Sequence, residues 1–236
     1  MSNPIPKLPY NIYWINLDRR PDRKKHMEEI LINNKDNSFR ISAIDYKNNF
    51  KPYNVIKHTR LNGGEHGCVC SHIKALHYFL STCDDKYCFI AEDDLLDRYS
   101  NYWYKKHYNI LKKSEYDILQ LQTTTDIYNN NEGTMAPENI QSNGATIYRI
   151  HRNIAEKIIN NHYDNTSLTI NLSNHNHPVT DNFIWTYGNV YLLPMFSYVD
   201  ACDSDTNTAN KTMALYYVNY FKRAINKYLN FWKNKK

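Results

Sequence analysis

The first fifty residues alternate between apolar runs and a helical pattern, and this order restricts the fold more than any other feature. The run NIYWINL (11–17) is typical of a buried strand. Asp18 is expected to cap a helix that has Pro21 in its first turn and continues to about Asn34. A second strand is predicted over 39–43. This β-α-β order favours a parallel sheet with a crossover helix.

The same alternation continues to about residue 195. Further strands are predicted over 87–91, 117–121, 145–150 and 190–195, and helices over 65–80, 103–111, 180–187 and a segment near Ile154. The polar segment 160–178 is predicted to be a loop. The pattern shows no internal repeat or linker, so it predicts one α/β domain over 1–210, with a mixed, mostly parallel sheet flanked by helices.

Glycine is scarce in this chain, which makes its positions informative. Three of the six glycines, Gly63, Gly64 and Gly67, lie in the stretch NGGEHG. Such a cluster indicates a close backbone approach or a loop that opens a helix. Glu65 in the same stretch has two interpretations, a cap of the helix start or a contact to a bound ligand.

Three consecutive acids, Glu92, Asp93 and Asp94, follow the apolar residues of FIAEDDL. Their repulsion and desolvation at a strand end are costly unless a cation compensates them. Ligands bind beyond the carboxyl ends of strands in open α/β sheets, and carboxylate oxygens suit Mg²⁺ or Mn²⁺. Strand alternation would place Glu92 and Asp94 on one face and Asp93 on the other. The alternative interpretation is a solvated acidic turn.

Composition argues against several classes of protein. Hydrophobic residues make up 42% of the chain, enough for a core, and no run approaches the roughly 18–20 apolar residues of a membrane span. The first ten residues lack the apolar centre of a signal peptide. The five cysteines form no disulfide pattern, so reduced thiols and a cytoplasmic location are expected. The abundance of Asn, Lys, Ile and Tyr indicates an AT-rich genome, either bacterial or that of a large DNA virus.

The C-terminal segment 211–236 is basic, with seven Lys or Arg residues and no acid. Apolar side chains recur there at helical spacing: Tyr217, Phe221, Ile225, Tyr228 and Trp232. The pattern predicts a basic amphipathic helix that follows the domain. It can either pack on the domain or lie peripherally on the cytoplasmic face of a membrane. Nucleic acid is not an expected partner.

Four stretches resemble glycosyltransferase family 25, which includes lipooligosaccharide and collagen galactosyltransferases. They are INLDRRPDR (15–23), GEHGCVCSHIKAL (64–76), FIAEDDL (89–95) and NGATIYRIHRNIAEKII (143–159). PVTDNFI (178–184) is similar to a later element of that family, and the likeness extends over about 10–205. The resemblance implies a GT-A fold, a nucleotide-sugar donor and, usually, inversion at the anomeric carbon. The acceptor would be a glycan, a lipid-linked sugar or a hydroxylated protein.

The resemblance also implies roles for the acids. Asp94 would hold the metal, Mn²⁺ or Mg²⁺, while Glu92 would lie toward the ribose and Asp93 could support either. Asp205, in the late loop DACDSDT, is similar to the aspartate of a late Ser-Asp pair in the family. It is therefore a candidate second metal ligand, with a solvated loop as the alternative. The donor implied is UDP-galactose or UDP-glucose.

Other polar residues are candidates for contacts with donor or acceptor. Asn16, near the end of the first predicted strand, and Arg23, after it, are two such candidates, because a guanidinium group there can meet uracil, ribose or diphosphate. Gln122 and Asn143 are candidates for hydrogen bonds to the donor sugar. Inverting transfer needs a general base, and Asp181 is the candidate, with a helix N-cap as the alternative.

Other interpretations of these residues remain. In HGCVCSH, a structural zinc would need four converging ligands, but Cys68 and His72 share a helical face and Cys70 points elsewhere. His175 and His177 form an H-x-H pattern that indicates surface groups or metal ligands. The protein could also bind nucleotide sugars or glycans without catalysis. A phosphohydrolase would need more converging Asp or His ligands than the pattern offers.

Overall fold

The computed structural model describes residues 4–97, 105–122, 134–135, 144–176, 179–193 and 195–198. The helices in these parts of the chain are α1 (Pro21–Ile30), α2 (Gly63–Thr82), α3 (Lys105–Lys113), α4 (Arg152–His162) and α5 (Thr180–Trp185). The strands are β1 (Ile12–Asn16), β2 (Ser38–Ser42), β3 (Asn54–Ile56), β4 (Tyr87–Glu92), β5 (Leu95–Leu96), β6 (Ile118–Gln120), β7 (Thr134–Met135), β8 (Ile147–His151), β9 (Tyr163–Asp164), β10 (Thr169–Asn171), β11 (Val190–Leu192) and β12 (Ser197–Tyr198). The predicted residues Asn143, His177 and Asp205 and the segment 211–236 lie outside the described residues.

Seven strands form the main sheet in the order β2-β1-β4-β8-β6-β11-β7. Five of them, β2, β1, β4, β6 and β11, run in one direction, and β8 and β7 run in the other. The β1–α1–β2 unit is the parallel pair with a crossover helix that the opening pattern predicts. The predicted α/β class, with a mixed and mostly parallel sheet, is confirmed.

Side-chain alternation along the strands gives the sheet two apolar faces. In β1, Tyr13 and Ile15 belong to the core shared with α2, α4 and α5, whereas Ile12 and Trp14 belong to the core shared with α1 and α3. Every residue of β1 is buried, as expected of a strand that is covered on both faces. The first polar side chains available to a ligand therefore lie where such strands end.

The start of α1 differs from the prediction. Asp18 does not cap the helix, which begins at Pro21 and has no side-chain cap at Arg20. Asp18 instead accepts hydrogen bonds from Arg40 Nη2 at 2.5 Å and from Ser42 Oγ at 2.8 Å. The N-cap position is Arg20, two residues after Asp18, and the Asp18 carboxylate instead pairs with the guanidinium group of Arg40, a bond in which both donor and acceptor are charged. Proline at the first helical position needs no cap for its own nitrogen.

The start of α2 confirms the prediction from the glycine cluster. Asn62 accepts from the backbone N–H of Glu65, and the Glu65 carboxylate accepts from the N–H of Asn62, so the two form a capping box. Of the two interpretations of Glu65, the structure supports the cap. A Cβ at Gly67 would lie 2.8 Å from the backbone oxygen of Ile44, so the helix can pass this close only with glycine there.

The segment 160–178 was predicted to be a loop, and this prediction is wrong. β9 and β10 pair in antiparallel fashion, and β10 pairs in parallel with β3, giving a separate three-stranded sheet. Ile170 is the buried residue of β10, and its neighbours Thr169 and Asn171 are polar. Such short strands with one apolar residue lack the alternation that identifies a strand in sequence, and only pairing with β3 defines them.

Two further properties of the described residues concern the hydropathy of the helices and the state of the cysteines. None of the described helices is long and apolar enough to cross a lipid bilayer. Cys68, Cys70, Cys83 and Cys88 are free cysteines. Cys70 and Cys88 are buried in the apolar core, while Cys68 and Cys83 are partly exposed. Cys68 is the one that matters for the site described next.

Candidate active site

The carboxyl ends of β1 and β4 open into a pocket of about 130 Å³. These parallel strands are neighbours in the sheet and end at Asn16 and Glu92, so polar residues from both strand ends meet. The first turns of α2 form another wall. The polar lining consists mainly of Asn16, Arg23, Cys68, His72, Glu92, Asp93 and Asp94. Ligands of open α/β sheets bind at this edge of the sheet.

Asp93 is held by two donors from the β1–α1 segment. Asn16 Nδ2 donates to Asp93 Oδ2 at 2.7 Å, and Arg23 Nη1 donates to Oδ1 at 2.7 Å. Asn16 is itself oriented, because Arg40 Nε donates to its Oδ1 at 2.9 Å. Burial raises the pKa of Asp93, although the charge of Arg23 and these hydrogen bonds oppose the rise. The predicted residues Asn16, Arg23 and Asp93 thus form one connected unit in the pocket wall.

Glu92 belongs to a second hydrogen-bonded chain. Its Oε1 lies 3.1 Å from His72 Nε2, and His72 Nδ1 lies 2.9 Å from the hydroxyl of the fully buried Tyr148. Since a carboxylate only accepts, Nε2 carries a proton, and in the neutral ring Nδ1 accepts from the Tyr148 hydroxyl. Burial raises the pKa of Glu92, but the interactions with His72, Cys68 and Arg23 together outweigh burial and hold it below its usual value.

Asp94 is the acid that lacks compensation. Its Oδ1 is buried and has no hydrogen-bond partner among the described residues. Burial, together with the charges of Glu92 and Asp93, raises the pKa of Asp94 to about 8. A divalent cation beside these carboxylates would relieve both the burial cost and the repulsion. The oxygen donor set fits Mn²⁺ or Mg²⁺, so the residues present suit the metal that the motif implies.

The predicted orientation of the three acids is wrong. β4 ends at Glu92, and Asp93 and Asp94 lie in the turn that follows. Alternation of side chains holds only within a strand, so it does not separate Asp93 from its neighbours. All three acids line the same pocket. The sequence places them correctly at the strand end, but the turn decides their directions.

Asp181 lies in the first turn of α5, next to this pocket. Its Oδ2 accepts from the backbone N–H of Gly144 at 2.7 Å. Burial raises the pKa of Asp181 to about 6, and the charge of Glu92 contributes to the rise. The preceding residue, Thr180, donates its hydroxyl to Cys68 Sγ at 3.2 Å, so α5 contacts the pocket wall directly. The helix N-cap alternative does not apply, because the N-cap position is Val179.

Gln122 is completely buried, and neither its Oε1 nor its Nε2 has a partner among the described residues. It lies against Gly144, where an added Cβ would come within 2.3 Å of Gln122 Oε1. Gly144 also has a φ of 122°, a conformation that residues with side chains rarely adopt. Because a buried amide is costly to leave without partners, and the described residues supply none, we take this group as a candidate contact for a bound ligand.

The histidines and cysteines of HGCVCSH do not converge on one point. His66 Nε2 accepts from the N–H of His58 at 3.0 Å, and Cys70 is buried in the apolar core. Cys68 and His72 instead face Glu92, and ligand atoms of these three residues all lie within 4.8 Å of one another. The sequence predicted the shared face of Cys68 and His72 but not their meeting with Glu92.

Of the two H-x-H histidines, His175 lies within the described residues, and it packs in an aromatic cluster. Its ring centroid lies 4.7 Å from that of Phe183 and 5.5 Å from that of His162. His162 is held by the backbone oxygen of Asn171 at 2.7 Å and by the hydroxyl of Tyr187 at 2.5 Å. His175 therefore packs against the rings of Phe183 and His162 and is not simply a surface group.

Sequence reasoning missed several residues of the site. Tyr148, Thr180 and Arg40 orient site residues through contacts that join distant parts of the chain. Tyr148 lies in the stretch NGATIYRI that the family resemblance includes, and that resemblance was a signal for it. Thr180 likewise lies in PVTDNFI, the stretch similar to a later family element, whereas Arg40 had no signal that distinguishes it from other polar residues.

The fold and the site together define a class of protein. A mixed α/β sheet with a polar pocket at the carboxyl ends of parallel strands is an arrangement in which α/β proteins bind ligands. Residues 10–174 match the family model "Glycosyltransferase family 25 (LPS biosynthesis protein)". The match extends over more than half of the chain, so the chain belongs to glycosyltransferase family 25 and is a glycosyltransferase. The resemblance inferred from the motifs is confirmed.

Other comparisons add little to this result. Curated proteins give no significant match. One similar solved structure is A197 from STIV, at 11% identity and a TM-score of 0.41, with 79% of this chain and 83% of that chain covered. Another is a mutant of Drosophila beta-1,4-galactosyltransferase 7 in complex with manganese, UDP-Gal and xylobiose, at 14% identity and a TM-score of 0.37, with 89% and 79% covered.

Proposed function

We propose that this glycosyltransferase uses a divalent cation, Mn²⁺ or Mg²⁺, to transfer a hexose from a UDP-sugar with inversion at the anomeric carbon. The observation that carries the proposal is the buried Oδ1 of Asp94, which has no partner among the described residues and lies beside two further carboxylates. Such a cluster is costly without a cation. A cation held there would supply positive charge beside the diphosphate of a nucleotide-sugar donor.

The acids would divide the work of holding the cation and the nucleotide. Asp94 would hold the cation, which when bound supplies positive charge that offsets the charge developing on the leaving diphosphate. Glu92, oriented by His72, would accept from a ribose hydroxyl. Asp93 is already held by Asn16 and Arg23, so these two residues would fix the pocket wall near the nucleotide. Asp205 is proposed as a second cation ligand.

Asp181 is proposed as the general base. Inversion requires a base that removes the proton of the acceptor hydroxyl on the face opposite the leaving group. Asp181 comes from α5, an element separate from the strand ends that carry the other acids. With a pKa raised to about 6, its carboxylate is ionised at neutral pH yet more basic than an ordinary aspartate.

The donor sugar would contact the side-chain amides of Gln122 and Asn143. Gln122 lies against Gly144, whose backbone N–H donates to Asp181. Gln122, whose buried amide has no partner among the described residues, would bind sugar hydroxyls, and Asn143 would do so as well. UDP-galactose and UDP-glucose are the donors proposed from the family resemblance. The acceptor would be a hydroxyl group of a glycan, a lipid-linked sugar or a hydroxylated protein.

The test is a screen of the purified protein against UDP- and GDP-sugars with Mn²⁺ and then with a chelator. The measured quantity is nucleotide release, with and without added glycan acceptors. Release that needs the cation and prefers one UDP-hexose is expected. Release that persists in chelator would contradict the metal assignment. Absence of release with every donor, together with donor binding by calorimetry, would favour a nucleotide-sugar-binding protein without catalysis.

Stereochemistry is tested separately, by NMR of the product anomer. A product whose anomeric configuration is opposite to that of the donor is expected. Retention of configuration would contradict the inverting mechanism and, with it, the role of Asp181 as base. The cation requirement would be unaffected by this outcome.

A further inference from the structure

The pocket contains a second group of possible ligand atoms, different in chemistry from the acid cluster. Cys68 and His72 lie one turn apart on α2 and face Glu92 at the end of β4. Cys68 Sγ lies 3.5 Å from Glu92 Oε1, and His72 Nε2 lies 3.1 Å from the same oxygen. One sulfur, one nitrogen and one oxygen thus meet at one point of the pocket wall.

The spacing of these atoms suits a small tetrahedral cation. Ligand atoms bound to one zinc ion at about 2.0–2.3 Å lie roughly 3.3–3.8 Å apart. The three atoms here already lie within 4.8 Å of one another, so small side-chain rotations would suffice. Thiolate and imidazole ligands favour zinc over manganese or magnesium, which prefer oxygen.

We propose that Cys68, His72 and Glu92 form a binding site for a thiophilic divalent cation such as Zn²⁺, distinct from the oxygen site at Asp94. Three protein ligands leave a fourth position that faces the pocket, because all three residues line it. Open three-ligand sites are accessible to ions in solution, unlike closed four-ligand structural sites. Binding converts the Cys68 thiol to a thiolate, and its proton is released to solvent.

The surrounding residues already support such a site. Thr180 Oγ1 donates to Cys68 Sγ at 3.2 Å, and this bond would stabilise a bound thiolate. The hydroxyl of Tyr148 lies 2.9 Å from His72 Nδ1, which is the ring nitrogen that points away from Cys68 and Glu92. When Nε2 binds a cation, the proton moves to Nδ1 and the Tyr148 hydroxyl accepts it as a hydrogen bond, since a hydroxyl can donate or accept. Metal-binding histidines regularly have such a partner.

Sharing of Glu92 links this site to the proposed donor site. A carboxylate drawn toward the thiolate and imidazole is no longer placed for a ribose hydroxyl. Zn²⁺ should therefore weaken donor binding, and this consequence, unlike the cation site itself, rests on the proposed function.

Titration with Co²⁺ tests the site without any activity measurement. Cobalt takes tetrahedral zinc sites, and a bound thiolate gives a sulfur-to-cobalt charge-transfer absorption. We expect this absorption to saturate at one Co²⁺ per chain and to be abolished by Zn²⁺. Absence of the absorption in the folded wild-type protein would overturn the proposal.

Matched variants assign the absorption to its ligands. Cys68→Ser should abolish it, whereas Cys83→Ser, at the other end of α2, should leave it unchanged. Thr180→Val should keep the absorption but weaken Co²⁺ binding by about tenfold. An absorption that survives Cys68→Ser, or that is lost in Cys83→Ser, would assign the ion to another thiol and overturn the proposal.

A variant of the acid cluster separates the two sites. Asp94→Asn should retain the cobalt absorption while losing Mn²⁺-dependent donor binding. Loss of the absorption in a folded Asp94→Asn variant would mean that the cation lies on the acid cluster, against the proposal. Failure of the cobalt test leaves the donor screen unaffected, and the reverse also holds, so the two proposals are tested separately.

Discussion

At the scale of single residues, three adjacent carboxylates in one pocket have three different surroundings. Asp93 is saturated by donors from the β1–α1 segment. Glu92 faces a histidine, whereas the buried Oδ1 of Asp94 has no partner among the described residues. Residue type is the same or nearly so in all three, so the partners decide which acid is structural and which can hold a cation.

Asp94→Asn tests this distinction. The change removes a carboxylate whose ionisation is costly in the folded protein and leaves the shape of the side chain nearly unchanged. Mn²⁺-dependent donor binding should be lost, and the melting temperature of the metal-free protein should not fall. Calorimetric titration with donor, with and without Mn²⁺, and a thermal melt provide the measurements. Unchanged Mn²⁺-dependent binding would remove Asp94 from the cation site.

Asp93→Asn is the matched control with the opposite expected effect on stability. It weakens the buried interaction with Arg23, whose Nη1 lies 2.7 Å from Asp93 Oδ1. The free energy of unfolding should fall by about 1–3 kcal/mol, because the buried guanidinium group of Arg23 would face a neutral amide oxygen in place of a carboxylate. Equal stability of Asp93→Asn and Asp94→Asn in urea unfolding would contradict the view that Asp93 stabilises the fold and Asp94 does not.

Asp181 gives a prediction about pH. Its pKa of about 6 requires that transfer, as kcat/KM, rises about tenfold per pH unit below pH 6 and levels off above it. Asp181→Asn should lower transfer by about 10²–10⁴ with little change in donor binding. It should also stabilise the protein at pH 7 by about 1–3 kcal/mol, because the raised pKa means that ionisation opposes folding above about pH 4.

Asp36→Asn, at an exposed position, serves as the control for Asp181→Asn. It should leave the pH profile, the transfer rate and the stability unchanged. A wild-type transfer rate in Asp181→Asn would reject this residue as the base. A pH profile that stays flat between pH 5 and 7 would do the same.

At the scale of elements, α2 organises the site because it passes very close to the segment after β2. Glycine at 67 permits the approach, and the Asn62–Glu65 capping box fixes the start of the helix. Ser71, one turn after Gly67, accepts from the N–H of Ile44 at 2.8 Å and donates to the Gly67 oxygen at 2.6 Å. The side chains of Cys68 and His72 are therefore held against the end of β4.

Gly67→Ala tests this close approach through the sign of its effect. In an exposed helix such a change stabilises by roughly 0.5–1 kcal/mol, because alanine is the better helix former. Here the added Cβ would lie 2.8 Å from the backbone oxygen of Ile44, so a loss of about 1–3 kcal/mol is expected. Ser81→Ala, at an exposed position near the end of α2, is the control and should change stability little. A gain in stability for Gly67→Ala, measured by urea unfolding, would contradict the close approach of α2 to the backbone of Ile44.

At the scale of the whole molecule, the buried acids of the site lower the free energy of unfolding, and the apolar cores compensate for this loss. Two apolar cores cover both faces of the sheet, and the pocket with its three acids lies at the edge of the sheet. The pKa values of Asp94 and Asp181 are raised to about 8 and about 6, above those of free carboxyl groups. These two groups therefore bind more protons in the folded state than in the unfolded state between about pH 4 and 8, so their contribution to metal-free stability should fall as pH rises through that range. The lowered pKa values of His66, His77, His151 and His162 contribute in the opposite sense below about pH 6.5.

Mn²⁺ should offset this loss. At pH 5 Asp94 is largely protonated and binds the cation poorly, whereas at pH 8 its carboxylate is available. The rise in melting temperature on adding Mn²⁺ should therefore be larger at pH 8 than at pH 5. Differential scanning calorimetry at several pH values provides the measurement, with Asp94→Asn as the control that should respond weakly at every pH. An equal response of the wild type at pH 5 and 8 would contradict the assignment.

From the sequence alone we predict the α/β class, the five described helices, six of the seven strands of the main sheet, the acids at the end of β4 and the glycine-dependent start of α2. These properties depend on periodicity and on neighbours a few residues away, which a single sequence displays directly. The tertiary structure alone decided that Asp18 bonds to β2 instead of capping α1, that 160–178 pairs with β3, and how the three acids differ. The partners in these contacts lie at least twenty residues apart in the chain, 20 for His72 and Glu92 and 70 for Arg23 and Asp93, and local pattern contains no record of such contacts.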